Sequence, residues 1–480
     1  MTAENKVAAW APCSKCQGRG KRSRRVRKKV RLSYLKALAE FEKAGSIGEP
    51  PERPKGHLDD CVDCSGSGLL LAEQWLEPDR DNLPHVAIIG GGIGGVALAV
   101  ACRHRGIPFT LYERDDGFAA RSQGYGLTLQ QASKAIEGFG LFELPSGVVS
   151  TRHVVHNTEG RVLGEWGMRK WLAGENASTP KRTNIHIARQ SLRAALLEQL
   201  GGDGQVTWGH QLLETRQQDG GIELDFLVNG QVQTAKADLL VGADGIRSVV
   251  RQQLVGETVA PLRYLGCMVI LGICPLANLK DMQHELLDGA TVFQTANGNE
   301  RIYMMPFTAD SVMWQLSFPM PEDEAKLLSL QGAQALKAEA CRRTQWHNPI
   351  PAIMEATDAS LVSGYPVYDR TMLQPQWLQQ GTHTTLIGDA AHPMSPFKGQ
   401  GANQALLDAL SLARSLYQGC GPYSNWQEVG IRHSVLNDYE AEMLVRSEVK
   451  VRGSAQAAEF LHSDIVLYEG DEPRGRCLDR

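Results

Sequence analysis

No stretch of this 480-residue chain approaches the ~20 consecutive apolar residues that a membrane-spanning helix requires. The polar start from Met1 to Val7 also lacks the apolar stretch of a secretory signal. Neither sign of charge dominates: 50 basic against 54 acidic residues leave a net charge of -4, so the chain as a whole has no pull toward nucleic acid or anionic lipid. A cytoplasmic protein with no membrane partner is expected. Cysteines are few and mostly ungrouped, with Cys102, Cys267, Cys274, Cys341, Cys420 and Cys477 scattered along the chain, which excludes a secreted disulfide scaffold. What remains is ordinary globular material, 42% hydrophobic and 22% charged, long enough for two or three domains.

The other four cysteines are grouped. Cys13-Ser14-Lys15-Cys16 precedes Gln17-Gly18-Arg19-Gly20, and Cys61-Val62-Asp63-Cys64 precedes Ser65-Gly66-Ser67-Gly68, so one eight-residue pattern occurs twice. Two such knuckles supply four thiolates for a tetrahedral zinc, and the glycines leave backbone amides free to approach the sulfurs. The pattern resembles the repeats of the DnaJ zinc domain, with two repeats here in place of four, and implies one structural zinc held by Cys13, Cys16, Cys61 and Cys64. Between the knuckles, Lys21 to Arg31 carries eight basic residues and no acidic one. Leu32, Leu35, Leu38 and Phe41 then recur at helical spacing, so the basic run is read as the exposed start of a helix packed on the body of the protein. A nucleic acid or protein partner for that run is the less favoured reading.

His85 to Ile89 reads as a buried strand running into Gly90-Gly91-Gly92-Ile93-Gly94-Gly95 and a helix to Arg105; Phe109 to Tyr112 forms a second strand ending at Glu113 and Arg114. Gly90, Gly92 and Gly95 satisfy Gly-x-Gly-x-x-Gly, which serves a tight turn, approach of backbone to a pyrophosphate, and packing of helix on strand. Gly94 lies within the same turn. Glu113 stands where a carboxylate accepts ribose hydroxyls. This unit alone does not separate FAD from NAD.

Two later segments choose between them. Asp238 to Arg251 is a buried strand delivering Asp244 and Gly245 to a turn, and Thr385 to Asn403 delivers Gly388 and Asp389 before a helical run to Leu416. They resemble the Asp-Gly and Gly-Asp motifs of the single-component flavoprotein monooxygenases typified by para-hydroxybenzoate hydroxylase. The resemblance covers about residues 85 to 455 and implies FAD as cofactor. Asp389 is then expected to accept a ribityl hydroxyl. Pro396, Gly399 and Gly401 would let backbone pass the flavin edge, and the helix starting at Ala402 and Asn403 would aim its amides at the ring. Arg189 matches the arginine that meets the pyrophosphate, with a surface salt bridge as its alternative. Lys398 departs from the pattern, and a flavin contact and a solvent-facing side chain stand level. His392 is read as a buried, hydrogen-bonded neighbour before a general base.

Segments 291–295, 301–307 and 311–318 alternate apolar and polar residues, with Asn297-Gly298 between the first two, and predict an antiparallel sheet over the flavin. The expected fold is α/β: a Rossmann-like FAD-binding domain, a second mixed or antiparallel substrate sheet, and a small amino-terminal zinc module. Expected bounds are 1–80 for the module with its helical insert, 81–420 for the monooxygenase fold and 421–480 for a carboxy-terminal helical segment. FAD-binding parts fall at about 85–195, 236–256 and 380–420, and the substrate parts at about 121–180 and 257–370. The resemblance further implies reduction by NAD(P)H, reaction with O2 to a flavin C4a-hydroperoxide, and hydroxylation of a small, aromatic substrate. No nucleophilic side chain is needed for this, and none is assigned as catalytic. A flavin-dependent halogenase is one alternative, although its Trp-x-Trp-x-Ile-Pro segment is absent. The other is a redox-sensing interaction protein whose zinc module recruits a partner.

Overall fold

A computed structural model describes all residues except 1–7, 24–25, 47–49, 52–53, 55, 57, 121–123, 173–183, 280–281 and 476–480. Arg24 and Arg25 of the basic run, Cys477, and parts of the expected zinc, substrate and carboxy-terminal segments therefore lie outside the described residues.

The organising element is a five-stranded parallel sheet in the order Val206–Thr207, Phe109–Tyr112, Val86–Ile89, Leu239–Gly242, Thr384–Leu386. Strands 86–89 and 239–242 are buried at every position, as continuous apolar runs must be when helices cover both faces of a sheet. Val86 pairs with Leu239 and Ile89 with Gly242, while Gly242 pairs with Leu386 on its other side. This register brings the three motifs read from sequence, more than 290 residues apart at their extremes, to the carboxyl edge of one sheet, where ligands of open α/β folds bind.

The second layer is a seven-stranded sheet. Its strands Thr291–Ala296, Arg301–Thr308 and Ser311–Pro319 are antiparallel neighbours, with the turn at Gly298 in left-handed conformation. Alternation divides the side chains as the pleat requires. Ile302, Met304, Trp314, Leu316 and Phe318 enter a core beneath the sheet, where the Trp314 indole donates to Thr357 Oγ1 at 2.9 Å. Arg301, Tyr303, Met305, Met313 and Gln315 face the opposite way, into a cavity. No helix among the described residues is long and apolar enough to cross a membrane.

At the amino terminus, strands Ala9–Pro12 and Leu69–Ala72 pair, as do Lys21–Ser23 and Leu58–Asp60, so each knuckle is the turn between two β-ribbons. The expected helix forms over Lys28–Lys43, but none of its residues is buried, and Val30, Leu32 and Leu35 are exposed. The basic start of the helix is exposed as expected, while of the expected stripe Leu38 and Phe41 are half-buried and Leu32 and Leu35 are not covered.

Candidate functional site

The turn after strand 86–89 is tight enough to explain its glycines. Gly90 adopts φ +109, and a β-carbon on it would meet the Ala243 carbonyl oxygen at 2.5 Å; one on Gly95 would lie 1.9 Å from the Gly90 oxygen. Helix Ile93–Arg103 thus starts in contact with its own strand, its first amides open at the sheet edge. The Glu113 carboxylate accepts from Gly91 N at 2.7 Å and from Asp115 N at 3.1 Å. It therefore braces the turn as well as facing it, while Arg114 beside it is exposed. Arg189 begins helix Arg189–Gln199 and sends its guanidinium to within 3.8 Å of the β-carbon position on Gly92, without a side-chain hydrogen bond among the described residues.

Two carboxylates complete this edge. Asp244 Oδ2 accepts from Val249 N (2.8 Å) and Val250 N (3.3 Å), capping the next helix, while Oδ1 is sealed from solvent with no partner among the described residues. Burial pushes its pKa above the usual carboxylate range. Gly245 follows in left-handed conformation with no atom near its Cα on the side-chain face. Asp389 has no hydrogen bond among the described residues and opens into the cavity. Its side chain is exposed to the cavity, yet desolvation by the protein walls around it raises its pKa, against the pull of His392 and Arg189.

Pro396, Gly399 (φ +58), Gln400, Gly401 and Ala402 line the same cavity, so helix Gly401–Gly419 points its amino terminus into it. The Asn403 side chain has a role of its own beside the expected one of its backbone amide. Its Oδ1 accepts from Gln130 N (2.8 Å) and Ala132 N (3.1 Å), and its Nδ2 donates to Thr128 O and Gly399 O. The side chain ties two loops together, leaving only its backbone amide for a ligand. Gly388 adopts φ +57 and donates to Asp408 Oδ2 at 2.8 Å. That oxygen also takes a 2.7 Å hydrogen bond from His392 Nε2, and Asp408 Oδ1 takes one from Arg446. His392 is buried in this network, the bland reading of the two. Lys398 lines the cavity, and its Nζ lies 3.1 Å from the β-carbon position on Gly453 in helix Asn437–Phe460.

Sequence reasoning missed three residues. Arg193 donates from Nε to Gly91 O at 2.6 Å, a role that its spacing of four from Arg189 on one helix could have suggested. Asp408 gives no sequence signal, since its three partners come from distant segments. Arg301 looked like one more alternating strand residue. It is 5% exposed, and burial lowers its pKa to about 10.

The cavity measures about 1020 Å³, at the upper limit of ~300–1,000 Å³ for single-ligand pockets, and so has room for a ring system of a cofactor and a substrate above it. The donor set fits FAD. Open amides and Arg189 suit a pyrophosphate, the orphaned Asp244 Oδ1 and unpaired Asp389 suit hydroxyl donors, and the glycine faces admit close backbone approach.

The four knuckle sulfurs lie within 4.8 Å of one another, all buried, with Cys16 and Cys64 Sγ at 3.8 Å. A tetrahedron with ~2.3 Å zinc–sulfur bonds has edges of about 3.8 Å. Gly20 N donates to Cys16 Sγ (3.2 Å) and Gly68 N to Cys64 Sγ (3.3 Å), equivalent positions of the two repeats. A β-carbon on Gly20 would strike Gly66 O, and one on Gly68 would strike Gly18 O, so the repeats interlock. Arg414 donates to Ser67 O at 2.8 Å, and Arg105 packs beside Gly18 with Nε and Nη2 unpartnered among the described residues.

Residues 84–421 match the family described as FAD binding domain. The chain is 31% identical over 336 residues to aurachin C monooxygenase/isomerase of Stigmatella aurantiaca, spanning 69% of this chain and 80% of that protein. It is 27% identical over 412 residues to 3-amino-4-hydroxybenzoate 2-monooxygenase of Streptomyces cremeus, spanning 84% and 91%. In fold it is similar to Klebsiella pneumoniae HpxO, solved with FAD and uric acid. That likeness has a TM-score of 0.64 at 21% identity, over 80% of this chain and 88% of that one.

Proposed function

The chain belongs to the FAD binding domain family and is an FAD-dependent monooxygenase, and on that premise we propose that it takes electrons from NAD(P)H and places one atom of O2 on a small, ring-containing substrate. Asp389 carries the proposal: a carboxylate without a hydrogen bond among the described residues, exposed to a cavity that the amino terminus of helix 401–419 also enters. Bound FAD supplies electron transfer and oxygen activation, which no side chain here offers. The protein's part is to hold and to tune. Gly90, Gly92, Gly94, Gly95 and Arg189 would cradle the pyrophosphate, Glu113 and Asp244 would meet sugar hydroxyls, and Asp389 would accept from the ribityl chain. The open amides of 401–403 would stabilise negative charge on a reduced ring. Aromatic character of the substrate is supported by the relative named for an aminohydroxybenzoate and by the neighbour solved with uric acid. Among the described residues no second parallel dinucleotide sheet exists, so nicotinamide would visit the same cavity.

Cys13, Cys16, Cys61 and Cys64 would hold one structural zinc. Four thiolates around Zn2+ carry a net charge of about -2, and buried Arg105 and half-buried Arg414 stand beside them as counter-charge.

The decisive experiment is turnover under 18O2 with NADPH and NADH across a library of ring compounds, read by mass spectrometry. Substrate-stimulated nicotinamide oxidation with label in the product is expected. If every compound gives only peroxide while a macromolecule binds through the first 80 residues, the redox-sensing alternative replaces it.

A further inference from the structure

Away from the flavin cavity, a second cleft of about 580 Å³ lies between the first knuckle and the back of helix 401–419. Its size falls within the ~300–1,000 Å³ of single-ligand pockets. Lys15, Arg19, Lys21 and Arg22 line it from the knuckle and the strand that follows, and Arg414 lines it from the helix. The one carboxylate in the lining, Glu442, is held by Arg446 at 2.8 Å. Two of the cations are also engaged. Arg414 stands beside the knuckle sulfurs with Nη2 on Ser67 O, and Lys21 lies 3.2 Å from Asp60, which Lys134 shares. Three cations remain. Arg19 donates to the neutral Gln17 Oε1 at 2.8 Å, while Lys15 and Arg22 have no hydrogen bond or ion pair among the described residues. Asp59 sits opposite Arg22 in the ribbon register but does not line the cleft.

The rest of the lining suits an anion as well. Ser14, Ser411 and Ser415 add hydroxyls and Gln418 an amide, and Leu58, Leu407 and Leu410 supply an apolar patch. No aromatic residue among the described ones lines the cleft, so the bases of a nucleic acid strand would find no stacking platform there. Cations gathered on one side of a cleft repel one another, and a bound anion relieves them. A lone phosphate brings about −1.5 to −2 charges, short of three cations. Linked phosphates match them, with oxygens for each guanidinium fork and for the ammonium. Next along the chain, the exposed side chains of Arg27, Lys28, Lys29 and Arg31 would draw such a ligand in. We propose that this cleft is a second ligand site, which takes a small molecule carrying linked phosphates, either an inorganic polyphosphate or a nucleoside polyphosphate. Once bound, the ligand ties the first knuckle to helix 401–419, whose amino terminus enters the flavin cavity. The site does not depend on the oxygenation reaction.

The test is calorimetric titration of the full-length protein, loaded with FAD so that the pyrophosphate site is filled, with its metal content measured throughout. The probes are tripolyphosphate, ATP, AMP, inorganic phosphate and a single-stranded oligonucleotide. Tripolyphosphate or ATP should bind one per chain and about tenfold or more tighter than AMP or phosphate. Tighter binding of ATP would place its base on the leucine patch, and equal binding would assign recognition to the phosphate chain alone; either result supports the site. Lys15→Gln and Arg22→Gln, exposed side chains outside the flavin and cysteine sites, should each weaken that binding about tenfold, with FAD and metal content unchanged. Lys36→Gln and Lys43→Gln, on the same basic segment but not lining the cleft, should leave it unchanged. Absence of binding by both polyphosphates, or an equal loss in all four variants, overturns the assignment. So does heat that tracks loss of metal from the protein, which is chelation. An oligonucleotide binding tighter than both polyphosphates would overturn it too, and would assign the basic surface to nucleic acid.

Discussion

Substituting Gly95 by alanine places a β-carbon 1.9 Å from the Gly90 carbonyl oxygen and 3.1 Å from its carbonyl carbon. Carbon and oxygen settle no closer than ~3.3 Å, so helix 93–103 must back away from its strand by about 1.4 Å. Nothing flexible absorbs the clash, because both offending atoms are backbone and the helix behind is buried from Gly95 to Cys102. Overpacking of this kind costs about 1–3 kcal/mol, and a rigid obstacle puts Gly95→Ala near the upper figure. At about 2 °C per kcal/mol for a large domain, melting should fall by several degrees. The larger effect should be on FAD, since moving the open amides by more than 1 Å removes them from pyrophosphate hydrogen-bonding range, and such misplacement costs about a hundredfold in function. The assay is the flavin-to-protein absorbance ratio after purification, with calorimetry alongside. Gly204→Ala, where a β-carbon meets nothing within 4 Å, is the control. A Gly95→Ala protein holding wild-type FAD and melting with the wild type would refute the geometric account of this turn.

Three further outcomes follow from the structure. Cys61→Ser should release the zinc and leave Arg105 and Arg414 without their counter-charge, a loss of about 3–5 kcal/mol; metal analysis showing unchanged zinc would remove the assignment. Burial lowers both His104 and His186 to about 3, below the ~6.5 of an exposed imidazole. The unfolded chain therefore takes up protons first as pH falls, and each residue should withdraw about 2 kcal/mol of stability between pH 6.5 and 5; denaturant titrations at the two pH values, with His104→Gln for comparison, would expose a flat profile. Asp408 is held below the usual carboxylate range because His392, Arg446 and the Gly388 amide outweigh its burial. Asp408→Asn should cost about 3 kcal/mol and loosen the Gly388–Asp389 turn, seen as a lower melting temperature and faster FAD loss; unchanged FAD off-rates would show that the turn does not depend on it.

Much of the parallel sheet was legible because its evidence is local. Strands 86–89 and 239–242 are unbroken apolar runs, and each ends in the turn residue that its chemistry needs. The placement of Asp244 and Asp389 just beyond strands of that sheet was legible for the same reason. The side-chain role of Asn403 was not legible because its motif position says nothing of Gln130 and Ala132, which engage that side chain from more than 270 residues away. The 28–43 helix shows the converse, since its spacing gave the helix but not that only the Leu38 and Phe41 end of its stripe is half-covered.

The hydrogen bond from Arg414 to Ser67 joins residues 347 positions apart. A ribosome adding about 5–20 residues per second needs on the order of half a minute to travel that distance. The interlocked cysteine ribbons are therefore complete, and able to take up metal, long before the helix that docks on them leaves the exit tunnel. For helix 401–419, whose other end enters the cavity, they are a template already waiting. A cysteine cluster left without metal during synthesis would then act, through the first-made part of the chain, on a wall of the cavity made far later.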